Sequence, residues 1–204
     1  LTKEINLNNK KNFGKLSSIN QAFQYCYLDQ PETSTKFISI INSNEGDYSR
    51  YLFFYLHNLI KKKDFESVLQ VSKTINALDS NLLIQQSKQW IDNLNYNKFD
   101  QFFSCNNEAD ILAEFFFLIS NFYAVDNNFE KSNFYSNISN YLNPKFYFNL
   151  THLISNYSEI RNYEKMRSLL ENFNKEDEIY HWYKLKKISQ IIYNEQNSKQ
   201  SLYY

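Results

Sequence analysis

The sequence predicts an all-α protein: a right-handed α-solenoid in which antiparallel helix pairs stack one on the next. Three observations predict it. Glycine and proline number only two each in 204 residues, too few for the tight turns that an all-β chain needs every dozen residues or so. Apolar residues recur at helical spacing in segments of roughly 12–18 residues, separated by a few polar ones. A turn signature also returns along the chain at a near-constant interval: Asp64-Phe65-Glu66, Asn95-Tyr96-Asn97, Asn128-Phe129-Glu130 and Asn162-Tyr163-Glu164. A weaker fifth copy, Gln196-Asn197-Ser198-Lys199, follows at the same interval.

Each element has a local reason. Residues 1–11 form a polar leader or the frayed tail of a helix. Helices are then expected over 15–29, 32–43, 47–62, 64–78, 81–94, 97–104, 108–126, 128–142, 145–160, 162–173 and 178–194, with a last one beginning near 196. Pro31 and Pro144 stand at expected helix starts, where a missing backbone N–H costs nothing. In each turn signature the Asn or Asp accepts from orphan N–H groups of the next helix, and Glu in its first turn complements the dipole. The aromatic beside the cap can anchor the bend. With 29 asparagines in the chain, Asn can also supply the left-handed helix-ending position that glycine normally fills. Degenerate helical repeats are expected over 12–107 and clearer ones over 108–204, forming one continuous solenoid.

Composition limits the function classes. Lys plus Arg and Asp plus Glu are both 22, giving a net charge of zero, whereas a nucleic-acid binder carries a basic excess or stripe. The compact basic run Lys61-Lys62-Lys63 falls at an expected helix C-terminus, where cations complement the dipole. The aromatic content of 18% and the many asparagines match AT-rich codons and are given no functional meaning. No apolar run reaches the roughly 18–20 residues of a transmembrane helix. The longest, 111–123, is interrupted by Glu114, Ser120 and Asn121. Cys26 and Cys105 lack any paired spacing and are expected as two buried thiols.

A two-helix period of about 34 residues is the length of the tetratricopeptide repeat. The segment 109–204 resembles that family, and uncharacterised bacterial members of it, in "AEFFFLISNFY", "NYLNPKF" and "IYHWYKLKKISQII". In the copy at 113–146 the matching positions are Phe116, Ile119, Ser120, Tyr123, Ser132, Ser139 and Pro144. The serines stand where small residues let two helices approach closely. The next copy keeps Leu150, Leu153 and Tyr157 but has Ile154 and Met166 at small positions, and the last keeps mainly Ile188 and Ile191. The resemblance implies a concave wall lined by the first helix of each pair. Carried over residue by residue, that wall comprises Phe117 and Asn121, then Phe148, Thr151 and Ser155, then Trp182, Leu185 and Ser189. Its mixed aromatic and polar character suits an extended peptide or a helix better than an acidic tail. The alternative for Phe117 and Trp182 is burial against helices missing from this stretch of chain.

No catalytic, metal or cofactor site is expected. His57, His152 and His181 fall on three different helices, and no HExxH or Cys/His cluster exists. With glycines only at 14 and 46, no phosphate-cradling loop and no G-x-S-x-G elbow is available. The carboxylates Glu108, Asp110 and Glu114, and Glu176, Asp177 and Glu178, cluster at helix starts where the dipole explains them. The sequons beginning at Asn137, Asn149 and Asn156 are expected by chance in a chain so rich in Asn and Ser.

The function expected from these readings is a non-enzymatic scaffold that docks a protein or peptide, without nucleic acid. The alternative is a recruiting or regulatory arm of a larger enzyme. The opening Leu and the closing "SLYY" inside a helical pattern suggest cuts through a longer chain, so either a cytoplasmic or a bacterial cell-envelope setting fits. The cut C-terminal repeat should leave open some of the apolar surface spread over Ile179, Trp182, Leu185, Ile188, Ile191, Ile192 and Tyr193, a route to self-association or fraying at that end.

Overall fold

A computed structural model describes residues 16–42 and 49–196. Among them are eleven helices and no strand. The expected leader over 1–11 and the expected last helix beyond 196, with most of the fifth turn copy, lie outside the described residues. The chain divides into two compact units between Ile91 and Asp92.

The first unit contains α1 (Leu16–Tyr27), α2 (Thr33–Ile41), α3 (Tyr51–Lys61), α4 (Phe65–Thr74) and α5 (Leu82–Asp92). Successive helices pack on one another from α1 to α4. Its core is aromatic: Phe23 meets Phe37 edge-on at 5.3 Å and Phe54 at 4.9 Å, and Phe37 stacks on Phe54 at 5.8 Å. Helix α3 is enclosed along most of its length, burying Tyr51, Phe53, Phe54 and Leu56 together with the polar His57 and Asn58. Asn58 is satisfied by the Ser34 hydroxyl, which donates to its Oδ1 at 2.6 Å. Cys26 is buried but, against expectation, is disulfide-bonded rather than a thiol. Isolated cysteines carry no spacing from which pairing can be read.

The second unit contains α6 (Asn97–Phe102), α7 (Glu108–Val125), α8 (Phe129–Leu142), α9 (Tyr147–Glu159), α10 (Tyr163–Leu170) and α11 (Glu178–Gln196). Here too neighbours in sequence pack together, α7 on α8, α8 on α9, α9 on α10 and α10 on α11. Tyr147 joins three elements, meeting Phe102, Phe173 and Tyr180 edge-on at 5.5–5.7 Å. Cys105 is buried and disulfide-bonded, correcting the same expectation.

One joint recurs. Asp29, Lys63, Leu94, Asn127 and Arg161 have φ between 52° and 60°. Their spacing is that of the turn signature, each left-handed residue standing just before one of its copies or, for Asp29, one interval earlier. At four of them the surrounding bonds form a Schellman motif. Around Lys63, for instance, Asp64 N–H donates to Leu59 O at 3.0 Å and Lys63 N–H to Ile60 O at 2.9 Å. The same pair of bonds surrounds Asp29, Asn127 and Arg161. At three joints the next residue caps the following helix. Asp64, Asn128 and Asn162 accept from the backbone N–H of Ser67, Lys131 and Lys165 at 3.1–3.2 Å.

Several expectations are corrected in detail. Asparagine does not generally take the left-handed position: among the described residues only Asn127 does, and Asn128 and Asn162 act as caps one residue later. Asn95 does not cap by its side chain, since α6 starts after Tyr96 with no such bond. Nor are the aromatics beside the caps buried anchors. Phe65 is exposed, and Tyr96, Phe129 and Tyr163 are half-buried. Pro31 and Pro144 precede the helices they were expected to begin. Each is the second residue of a four-residue turn, closed by Thr33 N–H to Gln30 O at 3.2 Å and Phe146 N–H to Asn143 O at 3.3 Å, a position that fixed proline φ favours.

Candidate functional site

The densest polar arrangement in the second unit is a buried ladder through α7, α8 and α9. Ser120, Ser132 and Ser139 have almost no solvent exposure, as expected for close-packed small positions, and Ser136 joins them. Ser139 Oγ donates to Ala113 O on α7 at 2.7 Å and accepts from Asn149 Nδ2 on α9 at 3.0 Å. Seven residues back along α8 the arrangement repeats. Ser120 Oγ donates to Ser132 O at 2.8 Å, and Ser132 Oγ accepts from Asn156 Nδ2 at 2.6 Å. Seven residues forward on α7 correspond to seven residues back on α8, and the same holds between α8 and α9. Both pairs are therefore antiparallel, with registers fixed by hydrogen bonds.

His152 enters this ladder. Its Nε2 lies 3.0 Å from Ser120 Oγ, while Ser136 Oγ is 2.6 Å from the same hydroxyl. A serine beside an imidazole nitrogen is the geometry of an activated nucleophile. Here the hydroxyl is fully buried and also lies 2.8 Å from the Ser132 carbonyl. The imidazole packs edge-on against Phe117 at 5.4 Å. These contacts form a hydrogen-bonded clamp, which fixes helix register because any slip would strand buried donors. The Asn149 and Asn156 amides are buried inside it, so neither sequon presents an open acceptor.

The expected concave-wall residues divide by accessibility. Phe117 and Thr151 are buried, and Phe117 lies 6.3 Å from the Phe148 ring. Asn121, Phe148, Leu185 and Ser189 are half-buried, and Ser155 and Trp182 are exposed, Trp182 to 65%. Two of the polar groups are turned onto their own helices: Asn121 Nδ2 donates to Phe117 O at 3.2 Å, and Thr151 Oγ1 to Phe148 O at 2.7 Å. Of the aromatics at 181–183, Tyr183 is the one that packs inward, 5.7 Å from Phe173, with its hydroxyl donating to Thr151 O at 3.4 Å. Burial drives the Tyr183 phenol well above the ordinary tyrosine range, against an opposing hydrogen bond with Ser155.

Sequence reasoning missed the ladder as a hydrogen-bonded unit. The seven-residue spacing of Asn149 and Asn156, matched by that of Ser132 and Ser139, was the available signal. It also assigned Asp110 and Glu114 to dipole complementation. Asp110 does stand in the first turn of α7 with Glu108, and its Oδ2 also accepts from Ser104 N–H at 2.8 Å, closing the loop before α7; Glu114, a turn further on, is buried inside the helix.

The unit also carries open clefts. One of about 490 Å³ is lined by Ser158, Glu159, Arg161, Tyr163, Gln190 and Asn194. Another, of about 260 Å³, includes Asp100, Asn107, Asp110, Asn143 and Lys145. Among the described residues no group of three or more His, Cys, Asp and Glu is placed to hold a metal ion, and no helix is long and apolar enough to cross a membrane. No protein-family model matches the chain, and no curated protein or solved structure matches it either.

Proposed function

We propose that the chain is a non-enzymatic docking scaffold of tetratricopeptide type, a right-handed helical-repeat solenoid that holds a peptide or helix along its first helices. The observation that carries this reading is the near-periodic recurrence of left-handed residues, each ending a helix just before the next begins. Contacts between alternate helices of the second unit support it. Ser120 meets His152, and Tyr183 meets Thr151, both 32 residues apart, and Tyr147 meets Tyr180 at nearly the same offset. Such near-constant offsets are what stacked repeats of one length produce. In this reading Trp182 supplies an aromatic anchor, Phe148 and Leu185 an apolar floor, and Ser155 a hydroxyl at the rim.

The test is selection from displayed libraries of extended and helical peptides against the intact chain. A selected peptide should lose at least about tenfold in affinity on Trp182→Ala or Phe148→Ala, with unchanged circular dichroism. Binding indifferent to both substitutions would reject this surface. Covalent labelling of Ser120 by a fluorophosphonate serine probe would reject the non-enzymatic reading.

A further inference from the structure

The docking role makes no use of the two cysteines, and their state is chemically informative. Cys26 and Cys105 are the cysteines of the chain, and neither is a free thiol. Both are shut away from solvent, Cys26 being 6% and Cys105 4% exposed. Each is also held on fixed backbone. Cys26 lies in the last turn of α1, where its carbonyl accepts from the N–H of the left-handed Asp29 at 3.1 Å. Cys105 is the second residue of a turn closed by Asn107 N–H to Ser104 O at 3.0 Å. Ser104 N–H is itself anchored on the Asp110 carboxylate.

We infer that the chain acquires its disulfide-bonded cysteines while it folds, in an oxidising compartment outside the reducing cytoplasm. Disulfides persist where thiols are not kept reduced, and those of the cytosol are usually transient, catalytic or redox-sensing. Sulfurs of that labile kind sit in partly exposed, electropositive places. These two are buried, as structural ones are. The general exception is the cytoplasm of hyperthermophiles, whose proteins are poor in thermolabile asparagine. This chain has 29 asparagines, so the exception does not describe it. Burial also sets the order of events. Exchange requires a thiolate to reach a donor sulfur, and sulfurs enclosed to this degree are out of reach once the helices have packed. Oxidation therefore accompanies folding. For each bond made, two thiols give up two protons and two electrons to a donor disulfide of the compartment, which leaves as a dithiol. Of the two settings that fit the sequence, this chemistry favours the cell envelope over the cytoplasm. The inference rests on the cysteines alone and is independent of the peptide surface.

The test counts thiols in the cells that make the protein. Acid quenching fixes the thiol state, and labelling under denaturing conditions with a maleimide–polyethylene glycol adds one tag per free cysteine. The intact chain should take no tag until it is reduced, and two afterwards. Two tags without reduction would overturn the inference. The purified oxidised chain then tests the order of events: dithiothreitol should reduce it at least about tenfold more slowly under native conditions than in urea. Equal rates would show the sulfurs to be within reach in the folded chain, and oxidation during folding would be rejected.

Discussion

At the scale of single residues, the serines of α8 show why size and hydrogen bonding must be read together. Their burial was legible from the small positions of the repeat, but their bonds were not. A serine at a close-packed position looks the same in sequence whether its hydroxyl is idle or engaged. Asn149 and Asn156 were harder still, because they read as chance sequons until the fold set them opposite Ser139 and Ser132. Ser132→Leu tests both properties. The added volume has no space between α7 and α9, and the substitution removes the acceptor of the Asn156 amide. Overpacking costs about 1–3 kcal/mol, and an unmet buried amide adds to it. Ser132→Ala should cost less, since it adds no bulk. Urea denaturation midpoints order the variants, and equal midpoints for wild type and Ser132→Leu would mean that α8 can rotate to expose this position.

At the scale of elements, the helices were legible because polar punctuation separates strongly apolar segments, and all eleven expected helices within the described residues form. Their ends were less so, since a cap is decided by geometry as well as residue type. Asn128 and Asn162 receive the N–H bonds expected of them, whereas Asn95 has equivalent chemistry and makes no side-chain cap. The left-handed residues were the least legible. Lys63, Leu94 and Arg161 have no intrinsic preference for positive φ, so the packing of the helices they join holds them there, helped at Lys63 and Arg161 by the Schellman bonds. This separates two effects experimentally. Asn162→Ala removes a cap bond and should lower stability by about 1 kcal/mol. Arg161→Gly relieves the Cβ strain one residue earlier and should raise it by up to about 1 kcal/mol, offset in part by the entropy of the unfolded glycine. Thermal denaturation of the two variants should move in opposite directions. A fall for Arg161→Gly would show that the arginine side chain holds the α9–α10 joint.

At the scale of the molecule, the helical class followed from composition and period, while the disulfide state of Cys26 and Cys105 and the division at Ile91 did not. Both are set by three-dimensional packing, which periodicity does not encode. Stability against pH is also a property of the whole chain, and two tyrosines of the second unit contribute to its alkaline side. Tyr183 and Tyr147 are both raised above the ordinary value, chiefly by burial, with Asp177 adding to the effect at Tyr147. In the unfolded chain both phenols ionise at about pH 10, whereas in the folded chain they keep their protons to higher pH. Above about pH 10 the unfolded state therefore binds fewer protons, and stability falls as pH rises. The contribution is fully present below that pH and is lost progressively toward the raised folded values. Tyr183→Phe removes the larger of the two shifts without removing the ring that packs on Phe173. Its denaturation midpoint should consequently decline less steeply than that of the wild type as pH is raised above about 10. Superimposable pH profiles would mean that water reaches the Tyr183 hydroxyl in solution, and that α11 opens from α9 before the rest of the unit unfolds.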